Sequence, residues 1–238
     1  MTGSIVSPAM RDRVRGLATP IATGLGRLGL TPNALTMIGF AGTCVAAWAA
    51  ASQQWALAGI LVLAFGIFDL FDGTLARATG KASKLGAFLD STFDRAGEAI
   101  VYVGIAAGSL AGGFELGAVL ATTAMGASFM VSYTRAKAES LGFSSGSGLA
   151  SVGLAPREVR LALLAAGLII TALVGPLVVA PPCSDTSPLT LACIYPLYAS
   201  LPLSGAAILA TTLGLISILA VVTTVQRIFH VRAQSREG

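Results

Sequence analysis

The sequence predicts an all-α integral membrane protein, with six transmembrane helices preceded by an N-terminal amphipathic surface helix. Three observations carry this reading. Charged residues make up 11% of the chain and hydrophobic residues 55%, whereas a soluble domain is about 25% charged. The apolar residues gather into six runs, each near the roughly 20 residues that cross a bilayer. All fifteen Lys and Arg fall at or near one side of the arrangement those runs imply, which the positive-inside rule makes cytoplasmic. An even number of spans leaves both termini on that side.

The elements follow in order. Residues 10–28 interleave Arg and Asp with Val, Leu, Ala and Ile, the pattern of a helix lying on the membrane surface. Leu30–Asn33, L-T-P-N, ends it; Thr31 or Asn33 can cap the next helix, with Pro32 in its first turn. The first span covers about Ala34–Ala51, and Ser52–Gln54 form a short outer turn. The second starts at the interfacial Trp55 and ends near Gly80, followed by an inner turn through Lys84. The third covers Leu85–Leu110 and holds Asp90, Asp94 and Glu98. Gly112 and Gly113 turn the chain into a fourth span, Phe114–Leu141, whose end from Ser132 is polar. A Gly/Ser-rich inner loop, 142–156, precedes the fifth span, Arg157–Val179. An outer loop with five prolines, 180–202, leads to the sixth, Leu203–Phe229. The chain thus divides into an N-terminal segment (1–30), a six-span domain (31–230) and a basic tail (231–238). The first thirty residues are too polar and interrupted for the apolar core of a cleavable signal peptide.

Several function classes are disfavoured at once. The basic clusters lack the interleaved aromatics of a nucleic-acid-binding face. The three cysteines and one histidine have no zinc-ligand spacing. Cys44 sits inside an apolar span as a small core residue, and Cys183 and Cys193 lie in a loop without Lys or Arg, where a disulfide is open to them if that loop is outside. His230 lies at the junction of the last span and the basic tail, beyond any site the acids define. Gly104 and Gly108, and Gly113 and Gly117, have the GxxxG spacing of helix packing or dimerisation.

The chemistry concentrates between Asp69 and Asp94. Asp69 and Asp72 are three residues apart, and Asp90 and Asp94 four, so at helical pitch each pair shares a face. Two helical arms then present four carboxylates to one place. A single Asp reads as a helix-end charge; four in an apolar surround need a cation or protonation. Ligands that are all oxygen suit Mg2+ or Mn2+, and two such ions can clamp a diphosphate during in-line displacement at phosphorus. Arg77, one or two turns further on, can hold a phosphate oxygen. Whichever acid is least committed to metal can take a proton from an attacking hydroxyl.

The pattern D-x2-D-G-x2-A-R-x8-G-x3-D-x3-D is met at Asp69, Asp72, Gly73, Ala76, Arg77, Gly86, Asp90 and Asp94. It resembles the signature of the CDP-alcohol phosphotransferase family, and the six spans and surface helix are similar to that family's architecture. The resemblance implies transfer of a phosphatidyl group from CDP-diacylglycerol to an alcohol, with release of CMP. It implies two Mg2+ or Mn2+ ions on Asp69, Asp72, Asp90 and Asp94, with Asp94 as the base, and a homodimer in the cell membrane. It gives the CDP-lipid to Gly73, Ala76, Arg77 and Gly86, with Pro32, Asn33 and Ser83 as further contacts.

For the acceptor, Lys137, Arg157, Arg160 and Arg227 can converge into a pocket for a phosphorylated alcohol, although each also reads as snorkelling positive-inside charge. The segments S-Y-T-R-A-K-A-E and P-R-E-V-R are similar to bacterial phosphatidylinositol phosphate synthases, which implies inositol 1-phosphate. Glycerol 3-phosphate, the acceptor of phosphatidylglycerophosphate synthases, stays open. A different class, a divalent-cation carrier, would also place acids in the membrane. A carrier needs acids at the midplane and polar groups toward both faces, whereas these acids lie toward the basic side.

Overall fold

Local sequence signals set where the helices start and stop. A computed structural model describes residues 19–143, 153–175, 177 and 204–237. Among them are seven helices and no strand: α1 (its described part, 19–27), α2 (Pro32–Ala51), α3 (Trp55–Ala78), α4 (Lys84–Ala111), α5 (Glu115–Ser140), α6 (Arg157–Val174) and α7 (Gly205–Glu237). Thr31, not Asn33, caps α2: its hydroxyl accepts from the Ala34 N–H at 3.2 Å, and Pro32 occupies the first turn. Ser83 caps α4 in the same way, accepting from the Gly86 N–H at 3.0 Å.

The expected spans agree with the helices to within a few residues at most ends. At the last helix they do not. The expected basic tail continues α7 to Glu237, its polar residues lying on a helix that has already left the apolar stretch. The first half of the expected surface helix, most of the 142–156 loop and the loop with Cys183 and Cys193 lie outside the described residues.

Helix packing closes a ring in the order α2, α4, α5, α7, α6, α3 and back to α2. Small residues make this possible. A Cβ on Gly104 or Gly108 would stand 2.2 Å from the Ala47 carbonyl oxygen or 2.1 Å from that of Ala50, so α4 meets the backbone of α2 directly. The first of the GxxxG pairs therefore serves packing within the chain. The buried core is likewise rich in alanine, including Ala46, Ala50, Ala58, Ala121 and Ala165. Large apolar side chains such as Trp48, Ile60, Val103, Val119 and Ile218 face outward. Small residues at the helix contacts, with large apolar side chains exposed on the outside, is the packing expected of a bundle solvated by lipid.

Among the described residues four helices, α2, α3, α5 and α7, are long and apolar enough to cross a membrane. α4 and α6 differ because their N-terminal turns carry the charged residues of the site. Short turns join α2 to α3, α3 to α4 and α4 to α5, so successive helices run in opposite directions. The acids near the end of α3 and the start of α4 thus meet at one end of the bundle. Beside them α1 packs through Ala22 against Leu35 and Leu75.

Candidate active site

The site is built where α3 ends and α4 begins. Asp69, Asp72 and Asp90 each offer an oxygen, and these atoms lie within 4.8 Å of one another. Asp69 and Asp72 come from the same face of α3, and Asp90 reaches them from α4. Asp72 is the most fixed. It is 4% exposed, accepts from Thr36 Oγ1 of α2 at 2.6 Å through Oδ2, and accepts from the Gly73 N–H through Oδ1. An oxygen-only set at this spacing fits a divalent cation of the Mg2+ or Mn2+ kind.

The fourth acid, Asp94, is not one of this trio. Asp94 Oδ1 is 3.0 Å from Arg157 Nη1, and Oδ2 is 3.5 Å from Arg95 Nη1. Arg157 Nη1 also pairs with Asp69 Oδ2. Two guanidiniums thus flank the acid expected to act as base, one from its own helix and one from the first turn of α6.

Beside the carboxylates lies an open cleft of about 180 Å3. Every residue expected to hold the CDP-lipid lines it: Pro32, Asn33, Gly73, Ala76, Arg77, Ser83 and Gly86. Asp72 and Asp90 line it too, so a diphosphate in the cleft meets the acid cluster. Two glycines keep it open. A Cβ on Gly86 would come 3.1 Å from Ser83 Oγ and 3.4 Å from Asn33 Oδ1, and one on Gly73 would reach 3.4 Å from Arg77 Nη1. Arg77 is steadied by Thr74, to which its Nη2 donates at 3.4 Å.

The four expected acceptor residues are placed differently from one another. Lys137 is exposed near the end of α5. Arg157 faces the acids, as described. Arg227 of α7 is 4% exposed, and its Nη1 donates to the Val131 carbonyl of α5. Arg160 departs from the expectation. It is 1% exposed, with Nε and Nη2 each donating to Glu98 at 3.0 Å and Nη1 donating to the Ala155 carbonyl at 3.0 Å. A guanidinium so engaged is committed to the protein, tying α6 to α4.

Sequence reasoning passed over three residues. Thr36 sits one helical turn after Pro32, on the face that meets Asp72, and lines the cleft. Its signal was its place a turn or less after Pro32 and Asn33, which the resemblance gives to the CDP-lipid. Lys81 lines the cleft from the turn between α3 and α4, where it reads as ordinary inner-side charge. Arg95 follows Asp94 and faces it, which spacing alone does not reveal.

Comparison with known proteins agrees with this geometry. The family model for CDP-alcohol phosphatidyltransferases matches residues 29–226. An archaetidylinositol phosphate synthase of Pyrococcus horikoshii is 42% identical over 155 residues, 65% of this chain and 78% of the relative. A phosphatidylinositol phosphate synthase of Cutibacterium acnes is 39% identical over 158 residues, 65% of this chain and 73% of the relative. The crystal structure of Mycobacterium tuberculosis phosphatidylinositol phosphate synthase with CDP-DAG bound superposes with a TM-score of 0.68 at 27% identity, covering 90% of this chain and 92% of that one. The same enzyme in complex with manganese and citrate gives 0.67 at 27% identity, covering 90% and 88%. With a match over most of its length and the eight-position signature gathered at one end of a helical bundle, the chain belongs to the CDP-alcohol phosphatidyltransferase family.

Proposed function

We propose that this protein transfers the phosphatidyl group of CDP-diacylglycerol to inositol 1-phosphate, releasing CMP. The observation that carries the reading is the junction of the Asp69/Asp72/Asp90 cluster with the cleft lined by Pro32, Asn33 and Arg77. The acceptor rests on the relatives, which differ in their lipid and agree in a product named for inositol phosphate.

In this mechanism the CDP-lipid lies with its nucleotide in the cleft, against Pro32, Asn33, Ala76 and Ser83, and its diphosphate toward Arg77 and the acids. Asp69, Asp72, Asp90 and Asp94 would hold two Mg2+ or Mn2+ ions. When bound, these neutralise the diphosphate and stabilise the charge that develops on the departing CMP. Thr36 fixes Asp72 so that its ligand oxygen needs no reorganisation. Asp94 takes the proton of the acceptor hydroxyl. The oxygen attacks the phosphorus bearing the diacylglycerol, and the bond from that phosphorus to CMP breaks. Lys137, Arg157 and Arg227 hold the acceptor phosphate. Arg160 acts differently from the other cations: paired with Glu98, it anchors the first turn of α6 and so aims Arg157.

The helices sit in the cell membrane as six spans, α4 and α6 crossing with the rest because their charged turns lie at the site end. α1 lies on the cytoplasmic surface as part of the amphipathic segment before residue 31, and the site and both termini face the cytoplasm. The spans, residues 31–230, form one catalytic domain that pairs as a homodimer. Purified protein given Mg2+, CDP-diacylglycerol and each of inositol 1-phosphate, glycerol 3-phosphate, inositol and serine in turn should release CMP fastest with the first. Absence of CMP with all four would remove the transferase reading and return attention to cation transport.

A further inference from the structure

Arg157 belongs to two sets of contacts at once. Its Nη1 lies 3.0 Å from Asp94 Oδ1 and also pairs with Asp69 Oδ2. Asp69 is one of the three acids whose ligand oxygens converge; Asp94 lies outside that trio. A single guanidinium nitrogen therefore joins two of the carboxylates that would hold a second cation under the assignment proposed above, Asp69 and Asp94. A guanidinium and a divalent cation have the same sign and seek the same oxygens, so the two exclude each other there.

We infer that Arg157 is an internal competitor of the second metal ion: it leaves Asp69 and Asp94 when that ion binds, and the phosphate of the acceptor is what receives it. The inference rests on the metal and acceptor assignments proposed above. Three features favour it. The Arg157 side chain is 20% exposed, yet its Nε is buried without a hydrogen-bond partner, so the carboxylates leave part of the fork unsatisfied. Its backbone is anchored independently, since three residues on Arg160 clamps α4 through Glu98 and the chain before α6 through the Ala155 carbonyl. The exchange can thus be made by one side chain. Finally, Arg95 stays beside Asp94 at 3.5 Å, so that acid keeps a countercharge while Arg157 is away.

The trio of Asp69, Asp72 and Asp90 would take a first cation with Arg157 in place, because among the described ion pairs Arg157 meets Asp69 of the three and neither Asp72 nor Asp90. The second cation and the acceptor phosphate, by contrast, must help each other: whatever draws Arg157 from the carboxylates opens the metal position, and the reverse holds by linkage. The enzyme would then complete its metal centre only when a phosphorylated acceptor is present, which limits hydrolysis of the CDP-lipid between turnovers.

The test is Mn2+ binding to the purified full-length protein in detergent, followed by electron paramagnetic resonance without donor lipid. Wild type should bind one Mn2+ tightly and a second about tenfold or more weakly. In R157Q the second site should tighten about tenfold and the first stay nearly unchanged. Inorganic phosphate should tighten the second site of wild type severalfold and leave that of R157Q unaffected. A second site in R157Q no tighter than in wild type overturns the inference. So does a wild-type second site indifferent to phosphate, a measurement that needs no variant to fold. If neither protein binds Mn2+ at all, the metal assignment fails and this inference with it.

Discussion

The donor and acceptor halves of the site are built in opposite ways. The donor half comes from one stretch of chain, residues 31–94, on three helices that follow one another. Its acids have like charge and face one another within the trio; among the described residues the ion pair made there is that of Arg157 with Asp69. The acceptor half is assembled from α4, α5, α6 and α7, and two of its guanidiniums are already answered by carboxylates: Arg160 by Glu98, and Arg157 by Asp69 and Asp94. A cluster of carboxylates left unanswered is a place for ions from solution. A cluster of guanidiniums with built-in counterions is a structural network that lends one or two members to a ligand.

That contrast can be broken by substitution. The largest effect is expected in the donor half. Asp72→Asn keeps the shape but removes a fixed metal ligand, and CMP release should fall on the order of a thousandfold with every acceptor. An equal loss confined to one acceptor would contradict the division into halves. Next comes the joint between them. Glu98→Ala leaves Arg160 buried and unpaired and should cost about 3–5 kcal/mol of stability, read as a lower thermal midpoint in detergent, while Glu98→Gln, which keeps one acceptor oxygen, should cost less. Third, Lys137→Ala removes an exposed charge from the acceptor side. It should raise the KM for inositol 1-phosphate about tenfold and leave the KM for CDP-diacylglycerol unchanged. Smallest is Gly86→Ala, whose added carbon would stand 3.1 Å from Ser83 Oγ at the rim of the cleft. A rise of about threefold in the KM for CDP-diacylglycerol alone is expected, equivalent to under about 1 kcal/mol.

The same contrast explains what could be read from the sequence. Helical period puts Asp69 with Asp72 and Asp90 with Asp94 before any fold is known, Pro32 and Asn33 mark a helix start, and Ser83 enters through the family resemblance. These relations are local, so spacing carries them. The acceptor half depends on which helices become neighbours, and nothing in the spacing of Arg157 and Arg160 says that one faces the acids and the other Glu98. Three residues apart, they lie on adjoining faces of α6, and only the packing of α6 on α3 and α7 assigns them. Thr36 was hidden for the same reason: its partner Asp72 is thirty-six residues away. The end of α7 was missed because hydropathy ends at the membrane edge while the helical backbone continues.

The most direct test of the account is the lipid made when the halves must work together. Wild-type protein with Mn2+ and CDP-diacylglycerol would be offered inositol 1-phosphate, glycerol 3-phosphate and inositol in equal amounts, and its products identified by mass spectrometry. The account predicts phosphatidylinositol phosphate as the main lipid, in step with CMP. Phosphatidylglycerophosphate in excess would contradict the inositol assignment, and phosphatidylinositol in excess would contradict the claim that the basic half of the site reads a phosphate.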